Sequence, residues 1–263
     1  MLIPAELRVR RAQTFDEIAE QYDGGRREPP AWIYDTLFAE TGLTPETARL
    51  VEIGCGTGKS TLPLARRGAR VLALEMGANL AAVARRNLAA YPRVEVVETR
   101  FEDWRPDEAF DLALAITSWH WLDPAVRYER AAAALRGGGV LAFTVEGQAY
   151  PPGFDPFFVE IQDAYEAAGM GRIAEPRPLP ESVPDAREEL ERSGCFERVR
   201  VLRHLWSEEF TAEEHVAMME TASDHRLLDA EKREWLFGEM RRLIGGRRIR
   251  KDNLTILHLG WKR

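Results

Sequence analysis

Short apolar segments alternate along this chain with segments in which apolar residues recur every three or four positions. The first pattern predicts β-strands at residues 50–53, 70–74, 94–98, 110–116 and 140–145, and again near 198–205 and 253–261. The second predicts helices at residues 60–67, 78–90 and 124–135. Such alternation indicates right-handed crossovers and a parallel sheet. The continuous apolar run at 112–116 is typical of a strand covered on both faces.

The flanking regions show other patterns. Residues 16–23 have helical apolar spacing that ends at a glycine pair, and a second helix is expected around 32–40. Seven of the fifteen prolines lie within residues 149–185, around one amphipathic segment that Asp155 can cap, and we interpret this region as a lid inserted after the fifth strand. Thr211 and Glu214 predict a capping box, and a further helix is expected over 230–244.

Composition and charge narrow the class of protein. A length of 263 residues with 45% hydrophobic and 30% charged residues suits one α/β domain with an appended lid. The net charge of −7 argues against a nucleic-acid partner. The two cysteines, Cys55 and Cys195, are too far apart in sequence for a CxxC pair or a disulfide framework. The first residues carry charge where a signal peptide has an apolar core, and no apolar run reaches the roughly 18 residues of a membrane span. We therefore expect a cytoplasmic protein with no membrane partner.

The most informative segment is the one in which the first predicted strand meets closely spaced glycines. Residues 49–60 read RLVEIGCGTGKS, and Glu75 follows at the end of the next apolar run. Bare backbone at a strand's carboxyl end, with a carboxylate on the neighbouring strand, can bind the ribose of an adenosine-bearing cofactor. The dinucleotide fingerprint fails because Lys59 stands where its third glycine belongs. The phosphate-binding loop fails because its first glycine would fall on Ile53.

The remaining pattern, with Glu52 followed by Gly54, Gly56 and Gly58, resembles motif I of the class I S-adenosylmethionine-dependent methyltransferases, in their small-molecule, methyltransferase type 11-like branch. Further landmarks extend the resemblance over most of the chain: Tyr22-Asp23, residues 101–104, 110–112, 119–124 and 135–139, and the closing LTIL at 254–257. It implies a doubly wound, Rossmann-like α/β fold with helical lid elements. Its sheet would have seven strands, mostly parallel, with the last strand antiparallel between strands five and six.

The resemblance also implies a domain organisation. The chain would be one methyltransferase domain with an N-terminal helical cap at residues 1–45 and a cofactor-binding core at 46–148. The lid would occupy 149–185. Residues 186–263 would complete the sheet and carry a helical insertion at 211–245.

The same resemblance assigns cofactor contacts. Glu52 would help to orient the amino group of S-adenosylmethionine, and Glu75 would bind its ribose hydroxyls. Met76 would pack against adenine, as a polarisable neighbour should. Phe101 and Glu102 would bracket adenine, although the acidic side chain that contacts its amine could be Glu102 or Asp103. The full set of predicted cofactor contacts is Tyr22, Glu52, Gly54, Cys55, Gly56, Gly58, Glu75, Met76, Phe101, Glu102, Thr117 and Trp119.

The end of the fourth strand carries the candidates for catalysis. Thr117 would contact the methionine amine through its main chain. His120 is the acid/base candidate because its ordinary pKa lies near neutrality, but it could instead hydrogen-bond a carbonyl and shape the pocket. Trp119 and Trp121 could wall the pocket, stabilise the sulfonium through a cation–π contact, or pack in the core.

Other residues have two interpretations each. Tyr22 and Trp32 could face the pocket or pack in the core, and the lid aromatics could line an acceptor site or pack between helices. These lid aromatics are Tyr150, Phe154, Phe158 and Tyr165. The basic residues of segment 241–251 could attract an acidic acceptor or form a solvated surface at a helix end. His204, His215, His225 and His258 show no metal-ligand spacing, so no metal is predicted.

The sequence thus predicts transfer of a methyl group from S-adenosylmethionine to an oxygen, nitrogen or carbon nucleophile of a small molecule, by a monomer or a homodimer. Three alternatives stay open. The chain could bind the cofactor without turnover, as a regulator. It could methylate RNA or tRNA, or it could be a dinucleotide oxidoreductase.

Overall fold

The computed structural model describes residues 14–173 and 177–263. The first thirteen residues of the predicted N-terminal cap and residues 174–176 of the predicted lid lie outside the described residues.

A seven-stranded mixed sheet forms the centre of the structure. Its strands are β1 (Arg49–Ile53), β2 (Arg70–Glu75), β3 (Val94–Glu98), β4 (Phe110–Ala115), β5 (Leu135–Gln148), β6 (Phe196–Phe210) and β7 (Ile249–Lys262). The spatial order is β3-β2-β1-β4-β5-β7-β6. The first five strands pair in parallel, and β7 runs antiparallel between β5 and β6. The predicted fold class is confirmed, including the place of the last strand.

Helices cover both faces because alternate residues of the central strands point to opposite sides. Leu50 belongs to one buried cluster, with Ile33 and Leu37, whereas Val51 and Ile53 belong to the other. The helices of the first half are α1 (Ala19–Gly25), α2 (Ala31–Thr41), α3 (Thr61–Arg66), α4 (Ala78–Leu88) and α5 (Arg127–Ala134), with a 3₁₀ turn at Trp119–Trp121.

A separate apolar core holds the C-terminal helices beside the sheet. These helices are α6 (Phe157–Glu160), α7 (Gln162–Ala167), α8 (Arg187–Arg192), α9 (Ala212–Glu220), α10 (Ser223–Arg226) and α11 (Ala230–Ile244), with a 3₁₀ turn at Pro180–Ser182. Phe157 and Phe158 pack there with Phe237. The predicted capping box of Thr211 and Glu214 begins α9. No helix in the described parts of the chain is long and apolar enough to cross a membrane.

The last three strands are longer than the sequence predicted, because their ends are polar. β5 continues to Gln148, which pairs with Asn253, and β6 continues past Glu208, which pairs with Lys251. Ladder hydrogen bonds join main-chain groups whatever the side chains are, so polar residues extend these strands without an apolar signal. The extension carries polar side chains to the same edge of the sheet at which the parallel strands end.

Candidate active site

A cleft of about 780 Å³ opens at the carboxyl ends of the parallel strands. It runs from the loop after β1, across the end of β4, to the polar ends of β5, β7 and β6. This is the edge where ligands bind in open α/β sheets, next to the point at which the strand order reverses. Ten predicted site residues line it: Tyr22, Gly54, Cys55, Gly56, Glu75, Met76, Phe101, Glu102, Thr117 and His120. Three others, Glu52, Gly58 and Trp119, lie behind its walls.

The loop after β1 needs glycine for two different reasons. Gly54 has a left-handed φ of 70°, and a Cβ there would lie 2.8 Å from Cβ of Ser118. Gly58 has a φ of 86°, and its Cβ would lie 2.9 Å from Cδ1 of Leu88 on α4. Gly54 therefore allows β1 and the end of β4 to approach at the cleft, whereas Gly58 serves the packing of α4. The expected cofactor contact at Gly58 is not provided by this geometry.

Glu75 is tied directly to the glycine loop. Its Oε2 accepts a hydrogen bond of 2.8 Å from the Gly56 N–H, and its Oε1 accepts one of 2.9 Å from the Gly77 N–H. The side chain is buried, and burial raises its pKa although these N–H groups pull it down. Each carboxylate oxygen has a further lone pair, so the group is oriented and can still accept hydrogen bonds.

Glu52 lies under the glycine loop, 1% exposed. Neither carboxylate oxygen has a hydrogen-bond partner among the described residues. Burial raises the pKa of this carboxyl, although the hydroxyls of Ser60 and Thr61 lie close enough to moderate the rise. The structure therefore places Glu52 behind the cleft wall, where its charge can act through the loop and does not line the cavity.

Three residues predicted to contact adenine, Met76, Phe101 and Glu102, line the cleft. Met76 is 42% exposed, which is unusual for a large apolar side chain, and Phe101 is buried beside it in the wall. Glu102 lines the cleft, and its Oε1 accepts a 3.0 Å hydrogen bond from the Asp123 N–H. Asp103 is not among the lining residues, and its side chain is 74% exposed. Of the two acidic candidates, position favours Glu102.

The end of β4 has a strained backbone. Thr117 has a φ of 53°, a left-handed value that β-branched residues rarely adopt. Its N–H donates a 3.0 Å hydrogen bond to Oγ1 of Thr144, and the Ser118 hydroxyl donates a short one to the carbonyl of Ile53. These contacts hold the strained residue in the wall of the cleft. Such strain is often found at binding and catalytic sites.

His120 is open to the cleft, with protein packed around it. Burial of the ring lowers the pKa of His120 to about 4, and the nearby Arg127 guanidinium adds to the effect. The imidazole is therefore neutral at pH 7. Trp119 points the other way: it is 2% exposed and stacks on Phe143, with ring centroids 4.8 Å apart. Core packing is the correct interpretation of Trp119, whereas Trp121 lines the cleft.

The segment from Phe15 to Tyr22 lies along the mouth of the cleft. The Phe15 ring contacts Tyr22 at 5.5 Å and Trp121 at 5.6 Å, edge to face. Asp16 Oδ1 accepts hydrogen bonds from the N–H groups of Asn79 and Leu80, which begin α4. Phe15 and Asp16 were not predicted as site residues, since one aromatic and one aspartate in a helical segment look ordinary.

Of the two aromatic residues that could face the pocket, Tyr22 lines the cleft and Trp32 does not. Cε1 of Tyr22 lies 3.8 Å from the position that a Gly56 Cβ would occupy, so this side chain lies over the glycine loop. Trp32 does not line the cleft and stacks on His204 of β6, with ring centroids 4.6 Å apart. The pocket role weighed for Trp32 is therefore not supported by its position.

The end of the cleft away from the glycine loop was missed by the sequence analysis. It is lined by Glu146, Gln148, Trp206, Glu208, Lys251 and Asn253. The proposed lid aromatics do not line it: Phe158 and Tyr165 pack in the C-terminal core, and Arg177 lies over the rings of Tyr150 and Phe154. A polar alternation at the ends of β6 and β7 was the available signal, but it lies outside the apolar runs that predicted these strands.

The basic residues of segment 241–251 differ in their positions relative to the cleft. Five of its six cations pair with carboxylates: Arg241 with Glu213, Arg242 with Glu239, Arg247 with Asp155, Arg248 with Glu214, and Arg250 with Asp252. Lys251 alone of the six lines the cleft. The solvated-surface interpretation holds for the arginines and fails for this lysine. Among the described residues, no group of His, Cys, Asp and Glu is placed to hold a metal ion.

Comparison with known proteins agrees with this architecture. Residues 50–139 match the model of a family described as "Methyltransferase domain". A ribosomal RNA small subunit methyltransferase A from Thermotoga petrophila is 52% identical over 68 residues, 26% of this chain and 25% of the relative. A trans-aconitate 2-methyltransferase from Rhizobium rhizogenes is 36% identical over 109 residues, 40% of this chain and 41% of the relative. The alignments with the curated relatives that match first span between 25% and 50% of those proteins.

A solved structure extends the comparison to nearly the whole chain. The S-adenosylmethionine-dependent methyltransferase from Geobacter sulfurreducens, in complex with S-adenosylhomocysteine, superposes with a TM-score of 0.51 and 16% identity. The match covers 90% of this chain and 93% of that one. At this identity the likeness concerns the fold.

Strand order and cleft together define a doubly wound α/β fold with its cleft at the strand ends. Residues 50–139, which hold β1 to β4 and the start of β5, are similar to this methyltransferase-domain family.

Proposed function

We propose that this chain binds S-adenosylmethionine in the cleft and transfers its methyl group to a small-molecule nucleophile. The observation that carries the proposal is the carboxylate of Glu75, which the N–H groups of Gly56 and Gly77 hold at the edge of the glycine loop. A carboxylate fixed in this way can accept hydrogen bonds from both ribose hydroxyls of an adenosyl group.

Three features of the cleft fit such a cofactor. The loop at Gly54 offers bare backbone, and Glu52 beneath it is a buried carboxylate with no hydrogen-bond partner in the described part of the chain, suited to a positively charged amino group. Met76 is exposed within the wall, where a flat base could cover it. A volume of about 780 Å³ lies in the upper part of the range for ligand pockets, about 300–1,000 Å³, which leaves space for an acceptor.

The protein's own task is positioning and exclusion of water. The bound cofactor supplies an activated methyl group on a sulfonium. Phe15, Tyr22 and Trp121 close the mouth, and Thr117 keeps the end of β4 against the cleft. Holding two reactants in line lowers the barrier mainly by removing their translational freedom.

His120 is one of the groups in the cleft that can take a proton. Its lowered pKa keeps the imidazole neutral at pH 7, so its ring nitrogen can accept a proton from a phenol, an amine or a carbon acid, but as a weaker base than an ordinary histidine. A carboxylate acceptor is already ionised and needs no base. We therefore propose that His120 matters for the first group of acceptors and is dispensable for the second.

Calorimetric titration tests the cofactor. We expect S-adenosylhomocysteine to bind the full chain tightly and NADH not to bind. Tight binding of NADH alone would identify a dinucleotide oxidoreductase and overturn the proposal. Transfer of a radiolabelled methyl group to a panel of small acceptors then tests turnover. Binding without any labelled product would favour a regulatory protein that retains the cofactor.

An RNA or tRNA methyltransferase is the second candidate, because of the 52% identity over 68 residues with a ribosomal RNA methyltransferase. The net charge of −7 and the pairing of five basic-segment cations with carboxylates weigh against it. Labelling of total RNA in the same assay, with small acceptors unlabelled, would establish it. A cytoplasmic location and a monomeric or homodimeric state stay predictions.

A further inference from the structure

The acceptor end of the cleft has a polar floor made by three strands. Glu146 and Gln148 lie on β5, Lys251 and Asn253 on β7, and Glu208 on β6. The pairs Gln148–Asn253 and Glu208–Lys251 stand directly opposite each other in the antiparallel ladders. Residues opposite each other, and residues two apart on one strand, share a face of the sheet. All five side chains therefore belong to one face, and all five line the cleft.

The two carboxylates of this floor, Glu208 and Glu146, are each partly neutralised. Glu208 pairs with the Arg27 guanidinium at 3.4 Å and accepts a 3.3 Å hydrogen bond from Nδ2 of Asn253. Glu146 is exposed to the cleft, and desolvation by the surrounding protein raises its pKa to about 7, although the Lys251 charge and the Thr255 hydroxyl act in the opposite direction. Near neutrality Glu146 thus carries only part of a negative charge.

Two further carboxylates at the rim are also engaged. Glu28 pairs with Arg66 at 2.7 Å, and Oδ1 of Asp224 lies 2.9 Å from Nδ1 of His225. Glu208, Glu28 and Asp224 are therefore occupied within the protein, and Glu146 carries a reduced charge.

Three donor groups at the same end are not occupied, although Nη2 of Arg26 donates to the carbonyl of Thr221. Within residues 14–173 and 177–263, Lys251 Nζ makes no hydrogen bond or ion pair, although Glu146 and Glu208 lie close enough to influence its pKa. Nε2 of Gln148 and Nε of Arg26 are buried without a hydrogen-bond partner in the same described residues. Both side chains line the cleft, so a small rotation presents these N–H groups to a ligand. Buried donors without partners are costly, and a bound acceptor group would remove that cost.

We propose that the methyl acceptor carries a carboxylate group, which Lys251, Gln148 and Arg26 bind at the polar floor. This inference rests on the proposed methyl transfer and specifies its substrate class. An amine would bring a positive charge towards Lys251 and Arg26, whose charges lack a full counterpart. A phosphate dianion would meet the carboxylates of Glu146 and Glu208 with twice the charge. A single carboxylate matches the unpaired donors best.

The decisive probe is a panel of small carboxylic acids, each with its primary amide as a neutral isostere and its amine as a cationic one. Binding to the full chain saturated with S-adenosylhomocysteine is measured by calorimetry. We expect at least one acid to bind, with its amide and its amine about tenfold weaker or more. Equal or tighter binding of the amides or amines, or no binding of any acid, would overturn the inference.

Substitutions test which side chains cause the preference for an acid over its amide. Lys251→Gln should reduce the acid-to-amide affinity ratio by about 10- to 100-fold, the effect of one charge-assisted hydrogen bond. Arg250→Gln is the matched control, because this neighbouring cation pairs with Asp252 and does not line the cleft, and its ratio should equal that of the wild type. Arg26→Gln provides a second test if Lys251→Gln does not fold. A wild-type ratio in whichever of these variants folds would contradict the assignment.

The two levels of the proposal fail differently. If the wild-type chain does not bind S-adenosylhomocysteine, the proposed methyl transfer fails. If it binds S-adenosylhomocysteine with normal affinity and shows no preference for acids, only the inference about the acceptor fails.

Discussion

Replacement of Glu75 by glutamine is the sharpest test of the cofactor site, because it changes charge and hydrogen bonding with little change of shape. The native carboxylate accepts one N–H from the glycine loop and one from Gly77, and keeps a free lone pair on each oxygen. The glutamine NH₂ can accept neither a main-chain N–H nor a ribose hydroxyl. At least one charge-assisted hydrogen bond to the ribose is therefore lost.

The expected loss of affinity for S-adenosylhomocysteine is about 1.5–3 kcal/mol, or about 10- to 100-fold in Kd. The effect on folding should be smaller. Burial raises the pKa of Glu75, so its charge at pH 7 destabilises the fold relative to the neutral form. Removal of that charge offsets part of the cost of the main-chain hydrogen bond that glutamine cannot form.

Calorimetry gives the affinity and thermal unfolding gives the stability. Glu98→Gln is the matched control. Glu98 stands opposite Glu75 in the β2–β3 ladder and lies outside the cleft, and its substitution removes the same charge. We expect wild-type affinity in Glu98→Gln and weak binding in Glu75→Gln. Equal affinities in two folded variants would refute the role of Glu75 and, with it, the observation that carries the proposed function.

Three further predictions concern the loop, the mouth of the cleft and acid stability. Gly54→Ala should lose about 1–3 kcal/mol more unfolding free energy in urea than Gly138→Ala, because both have a φ of 70° but only Gly54 meets a neighbouring side chain. Asp16→Ala and Asp229→Ala each remove an acceptor for main-chain N–H groups at the start of a helix, and each should lower the free energy of unfolding by about 1 kcal/mol. Only Asp16→Ala should speed dissociation of S-adenosylhomocysteine in stopped flow, because Asp229 is distant from the cleft. Burial lowers the pKa of His258 to about 4. The free energy of unfolding should therefore fall by about 1.4 kcal/mol per pH unit as pH falls from 6.5 towards 4, because only the unfolded chain binds the proton. His258→Gln should flatten that slope in urea titrations.

Each of these has a contrary outcome. Equal losses in the two glycine variants would show that the close approach to Ser118 does not constrain the loop. Equal dissociation rates in the two cap variants would mean that the N-terminal segment does not retain the ligand. An unchanged pH slope in His258→Gln would mean that this buried imidazole titrates normally.

The parallel half of the site could be predicted from sequence because its signals are local. The Gly54 and Gly56 spacing follows directly from an apolar strand, and Glu75 ends the next one. Short loops and right-handed crossovers then bring these strand ends together. Trp119 shows the limit of such reasoning: adjacent to Trp121 in a 3₁₀ turn, it points into the core while its neighbour points into the cleft.

The chain by itself determined the fold class, the edge of the sheet at which the cleft opens and the residues of the cleft that stand nearest in sequence to the glycine loop, because hydrophobic periodicity and backbone freedom act over a few residues. Only the tertiary structure decided the acceptor end. Gln148 and Asn253 are 105 positions apart, and Lys251 is hidden in a segment of arginines that face solvent. Antiparallel register places them on one face, and register depends on main-chain pairing between distant strands, which the polar side chains do not reveal.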